Sequence, residues 1–134
     1  MILHTCSYRA WRPELGQPVR TSLGKPKWLL PGAASWPLLW EATPRGHYFG
    51  APAEAFEDAY LDQLTRYGIR RIAKRLAVIT RQTGAETLLL CCFEADREQC
   101  HRSLFSAFWL EATGERIEEI QDETTVIVRN PRRA

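Results

Sequence analysis

The sequence predicts a small α/β domain with a mostly parallel sheet flanked by helices. Three observations carry that prediction. Residues 87–93, TLLLCCF, form an unbroken apolar run, the pattern of a strand buried on both faces, as in a parallel sheet. On either side lies a stretch whose apolar residues recur at helical spacing. The chain has 134 residues, 45% hydrophobic and 25% charged, which suits one globular domain with its own core.

The elements follow in order. Residues 2–8 read as a strand, and residues 19–23 as a short second one leading into ordered loop. Residues 1–52 hold seven of the eight prolines and four of the five tryptophans. Proline fixes φ and lacks a backbone donor, so this part contains no long helix. Its aromatics make it a packed wall. From Ala53 the texture changes. Phe56, Ala59, Tyr60, Leu64 and Tyr67 describe an amphipathic helix that Gly68 ends or kinks. Ile69, Ile72, Ala73 and Leu76 continue the pattern. Arg70, Arg71, Lys74 and Arg75 on the other faces read as a solvated basic surface. Gly84 closes this helix. Beyond the apolar strand and a polar loop, a third helix runs from Cys100 to about Ala112. Leu104, Phe105, Phe108 and Trp109 make it apolar on most sides and therefore buried. Gly114 stops it, and residues 116–120 and 125–128 read as final strands. Strand, helix and strand across 87–120 form a βαβ unit with an expected right-handed crossover. The whole, 1–134, reads as a single domain with two unlike parts, 1–52 and 53–134.

Composition narrows the function classes. The formal net charge is +2, which excludes a polycationic nucleic-acid arm. The charge is uneven: residues 1–52 carry +4 and residues 53–134 carry −2. Apolar runs fall short of the ~20 residues that span a bilayer, so no membrane partner is expected. The start, Met1-Ile2-Leu3-His4-Thr5, lacks the charged and apolar regions of a signal peptide. Four cysteines in a chain this long do not make a disulfide scaffold. Together these features predict a reducing cytoplasm.

The chemistry concentrates in residues 91–102. This stretch lies at the carboxyl end of a buried strand, where open α/β sheets place ligands. It runs into a helix N-terminus, which favours anions. Arg102 offers a planar fork for phosphate or carboxylate. The helix dipole and a protonated His101 are expected to lower the Cys100 pKa. Set against this, Cys91 and Cys92 alternate faces, and at least one is plain core. Three sharper readings compete. Cys92, Cys100 and His101 could join Cys6 or His4 around a metal, but the spacing lacks the close pairs of known zinc sites, so no metal ligand set is assigned. Cys91 or Cys92 with Arg97 fits a phosphatase-like loop, but Glu94 and Asp96 would repel a dianion and no glycine turns the N–H groups inward. Cys92 and Cys100 as a redox pair lack CxxC spacing, and their separation is not legible in sequence.

The sequence Cys92-Phe93-Glu94, followed six residues past the glutamate by Cys100-His101-Arg102, resembles the signature of the domain of unknown function 488 family. The segments 10–16 and 19–28 resemble the N-terminal part of one subgroup, and the likeness covers roughly residues 1–120. The resemblance implies a compact α/β domain of a bacterial, archaeal or phage cytoplasm, in a family without an assigned activity. It marks Cys92, Glu94, Cys100, His101 and Arg102 as pattern positions, with Arg20 as a partner, and leaves Arg97 free.

The leading expectation is a domain that binds or acts on an anionic, nucleotide-like small molecule at this strand-to-helix loop. Cys92, Glu94, Cys100 and His101 are the candidate catalytic residues. Arg102, Ser103 and Arg20 are the candidate ligand-binding residues. Cys6 and Cys91 read as scaffold. The second expectation is a single-stranded nucleic-acid module, because Arg9, Arg12, Arg20, Lys25, Lys27 and Arg45 interleave with aromatics. The third is a non-catalytic domain whose Cys/His cluster locks the loop. The residues name no cofactor and no oligomeric state.

Overall fold

A computed structural model describes residues 1–24, 26, 32–93 and 100–121. Its elements in chain order are β1 (Ile2–Ser7), β2 (Gln17–Arg20), α1 (Ala53–Tyr67), α2 (Ile69–Thr83), β3 (Thr87–Cys92), α3 (His101–Thr113) and β4 (Glu118–Ile120), with short 3-10 turns at Pro13–Leu15, Ala33–Ser35 and Trp40–Ala42. The expected strand at 125–128 lies outside the described residues.

Among the described residues the sheet has four strands, all parallel, in the order β2-β3-β1-β4. β1 runs beside β3 from Ile2↔Thr87 to Ser7↔Cys92. The apolar run is thus a central strand, which explains why it is apolar on both faces. β2 spans 17–20 instead of the expected 19–23. Pro18 is tolerated there because the β3 ladder lies on one side only. Past Thr21 the chain turns, and the Ser22 hydroxyl donates to the Gly24 carbonyl at 2.7 Å.

Two glycines are required by geometry. Gly16 (φ +136°) leads into β2, where a Cβ would stand 2.8 Å from the Thr87 carbonyl oxygen. Gly68 (φ +84°, ψ 151°) separates α1 from α2, a conformation open essentially to glycine alone. It ends one helix and starts another.

The alternation along the strands divides the interior. Leu3, Val19, Leu88 and Leu90 meet Tyr60, Leu64, Ile72, Leu76, Phe105 and Trp109 from α1, α2 and α3. Cys6, Leu89 and Cys91 face the other way, under Tyr8, Trp11, Leu15 and Trp36. All three described helices build the first core and none builds the second. The proline- and tryptophan-rich part therefore takes the place of a second helical layer.

The basic surface of α2 is not wholly solvated. Glu41, fully buried, receives Arg71 Nε at 3.1 Å and Arg75 Nε at 3.4 Å. This pins the 40–42 turn onto α2. No described helix is long and apolar enough to cross a membrane.

Candidate functional site

β2 and β3 end side by side, and the N-terminus of α3 meets them there. Thr21, just past β2, donates its backbone N–H to the Cys91 carbonyl at 3.0 Å and its hydroxyl to the same oxygen at 2.9 Å. Thr21 in turn fixes His101. His101 Nε2 lies 2.7 Å from the Thr21 carbonyl oxygen and 3.0 Å from its hydroxyl. A carbonyl only accepts, so Nε2 carries the hydrogen and Nδ1 carries the lone pair. That lone pair faces Cys100 Sγ at 3.3 Å.

The sequence anticipates a protonated His101 beside Cys100. Burial overturns this by pulling the His101 pKa down to about 3; the Thr21 carbonyl opposes the shift and the Arg102 charge adds to it. The imidazole is neutral near pH 7.

Cys92 and Cys100 are joined by a disulfide, with Cα atoms 7.6 Å apart. The eight-residue spacing gives no sign of such a pairing, because the strand-to-helix turn and not the local sequence brings the two sulphurs together. Arg102 contacts Cys92 Sγ through Nη1 at 2.9 Å. Its other edge forms a bidentate pair with Glu119 of β4, Nη2 to Oε2 at 2.8 Å and Nε to Oε1 at 3.2 Å. Both side chains are 1% exposed. The fork expected to hold an anion is thus engaged by the protein's own carboxylate. Arg20 is buried as well, its Nε donating to the Trp36 carbonyl at 3.2 Å.

A cavity of about 790 Å³ opens at this end of the sheet. Cys92, Cys100, His101 and Ser103 line it together with Phe49, Phe56, Phe93 and Leu104; Glu57 also contributes to the wall. Arg20 and Arg102 are not among its lining residues. Ser103 donates its hydroxyl to the Cys100 carbonyl at 3.1 Å, tightening the first turn of α3. Glu94, Asp96 and Arg97 lie outside the described residues.

The remaining cysteines stand elsewhere. Cys6 and Cys91 are free and buried on the loop-covered face, their sulphurs 3.4 Å apart. Burial, then the hydrogen bond with Cys6, pushes the Cys91 thiol well up. Among the described residues, the group with metal-ligating geometry is Cys92, Cys100 and His101, whose ligand atoms lie within 4.8 Å of one another. Neither Cys6 nor His4 joins it.

Sequence reasoning missed three contributors: Thr21, Glu119 and the phenylalanine wall. Each depends on long-range packing. The only local signal was Thr21 lying next to Arg20, which the resemblance had marked.

Fold and site together define a small parallel α/β domain with a Cys/Cys/His cluster at the carboxyl end of its sheet. No protein-family model, curated protein or solved structure matches the chain.

Proposed function

We propose that this domain binds or acts on a nucleotide-like small molecule in the cavity at the carboxyl ends of β2 and β3. The observation that carries the reading is the shared cavity wall: two motif cysteines, His101 and Ser103 face one apolar space of about 790 Å³, a size usual for small-molecule sites. Phe49, 71% exposed, and Phe93, 39% exposed, are aromatic faces on which a planar base can stack. The first turn of α3 supplies N–H groups and dipole for an anionic end. Arg102 contacts the lining residue Cys92 at Sγ, 2.9 Å away. Cys92, Cys100 and His101, three of the motif positions, all stand at the cavity.

The test is isothermal titration of the reduced chain with nucleoside mono- and diphosphates, against the uncharged nucleosides. Binding of the phosphorylated ligand, weakened by Phe93→Ala, is the expected result. Equal or absent binding across the series overturns the reading.

Single-stranded nucleic acid is the second reading. Arg45 stacks over Trp40 at 3.4 Å and Arg71 over Tyr67 at 4.8 Å, so basic and aromatic groups do share a surface. Binding that weakens steeply with salt would favour it.

A further inference from the structure

We infer that, with its two thiols reduced, the Cys92/Cys100/His101 cluster is a three-ligand site for zinc or a similar borderline-soft divalent ion. The inference goes beyond the small-molecule reading and does not depend on it, because the ion is held by the protein's own side chains.

Four observations point the same way. First, the three ligand atoms converge within 4.8 Å, two sulphurs and one nitrogen. Thiolate and imidazole select zinc-like ions over magnesium or calcium, which prefer oxygen. Second, His101 has the tautomer and aim that ligation needs. Its Nε2–H is donated to the Thr21 carbonyl at 2.7 Å, leaving Nδ1 as a lone-pair donor facing Cys100 Sγ at 3.3 Å. A carbonyl behind the second nitrogen is the usual orienting partner of a metal-bound histidine. Third, Arg102 donates to Cys92 Sγ at 2.9 Å, a contact that favours the thiolate over the thiol. Fourth, the Cα atoms of Cys92 and Cys100 are 7.6 Å apart, wider than the ~4.4–6.8 Å usual for a disulfide. Two thiolates about 2.3 Å from a tetrahedral zinc lie about 3.8 Å from each other, so the backbone spacing accommodates a shared ion.

Two cysteines and one histidine leave a tetrahedral ion one position short. Cys92, Cys100 and His101 all border the cavity, so that position opens onto it. Three protein ligands plus an open position is the pattern of catalytic zinc, in contrast to closed four-ligand structural sites. Binding exchanges two thiol protons for the ion, and no electron moves.

The experiment uses the full chain, reduced with a phosphine and freed of metal. Zinc is titrated against a chromophoric chelator, and cobalt is then substituted as a spectroscopic probe. One zinc per chain is expected, along with the visible bands of tetrahedral cobalt and a thiolate-to-cobalt charge-transfer band. Cys100→Ser and His101→Gln should each weaken zinc binding by about 100-fold or more, whereas Cys6→Ala should bind as the parent does. The disulfide form should bind none. Occupancy below about 0.1 per chain in the reduced protein overturns the inference, because a built zinc site retains its ion. So does cobalt binding without a thiolate charge-transfer band, a readout on the parent chain that holds even if a variant fails to fold. Nucleotide titration is a separate measurement, so failure of that reading leaves this result unaffected.

Discussion

Arg102 illustrates how a side chain's role follows from what surrounds it. From sequence, a guanidinium in the first turn of a helix after a buried strand reads as an anion fork. In the fold, Glu119 occupies that fork, and both groups are 1% exposed. A buried pair contributes little compared with a well-packed apolar pair, but breaking it strands a charge. Arg102→Met should therefore destabilise the protein by about 3–5 kcal/mol, measured by urea unfolding. Adding Glu119→Gln to that variant should restore a large part of the loss, because the uncompensated carboxylate is gone. If Arg102→Met unfolds like the parent, the pair is not the tie between α3 and β4 described above. The identity of Arg102 as a motif residue was legible. Its partner was not, because Glu119 lies 17 positions downstream and only the packing of β4 beside β1 delivers it.

At the scale of elements, local signals were the reliable ones. The apolar run gave β3, the 3–4 spacing gave α1 and α2, and Gly68 and Gly84 marked real helix ends. The basic face of α2 was misread in part, since its spacing says nothing of a carboxylate on a distant turn. Arg71 and Arg75 both reach the fully buried Glu41. Removing either arginine leaves the other in place, so Arg71→Ala or Arg75→Ala alone should cost about 1 kcal/mol or less. Removing both strands a buried carboxylate and should cost about 3–5 kcal/mol. Denaturant melts of the two single variants and the double variant check this. An additive result would mean that the arginines act independently of Glu41.

For the whole molecule, the sequence showed the two unlike halves but not how they are layered. Helices cover one face of the sheet and the aromatic loops cover the other, an arrangement that leaves no local periodicity to read. The layering separates the four thiols into two classes. Cys100 and Cys92 border the cavity, while Cys6 and Cys91 are sealed beneath Trp11 and Trp36. In the reduced, metal-free native chain, an alkylating reagent should label Cys100 first. Cys6 and Cys91 should react only in denaturant. Peptide mass mapping over time reads the order, and early labelling of Cys6 or Cys91 would contradict the sealed face.

The strand order also fixes when this protein can fold. Among the described strands β1 is made before its neighbours β3 and β4: Ile2 waits for Thr87, and His4 waits for Glu118. On a ribosome adding about 5–20 residues per second, β1 spends several seconds without a partner. Its pairing must close the long loop between Ile2 and Thr87. Contacts so far apart along the chain are expected to put refolding in the millisecond-to-second range typical of non-local topologies, which stopped-flow fluorescence of the tryptophans would read.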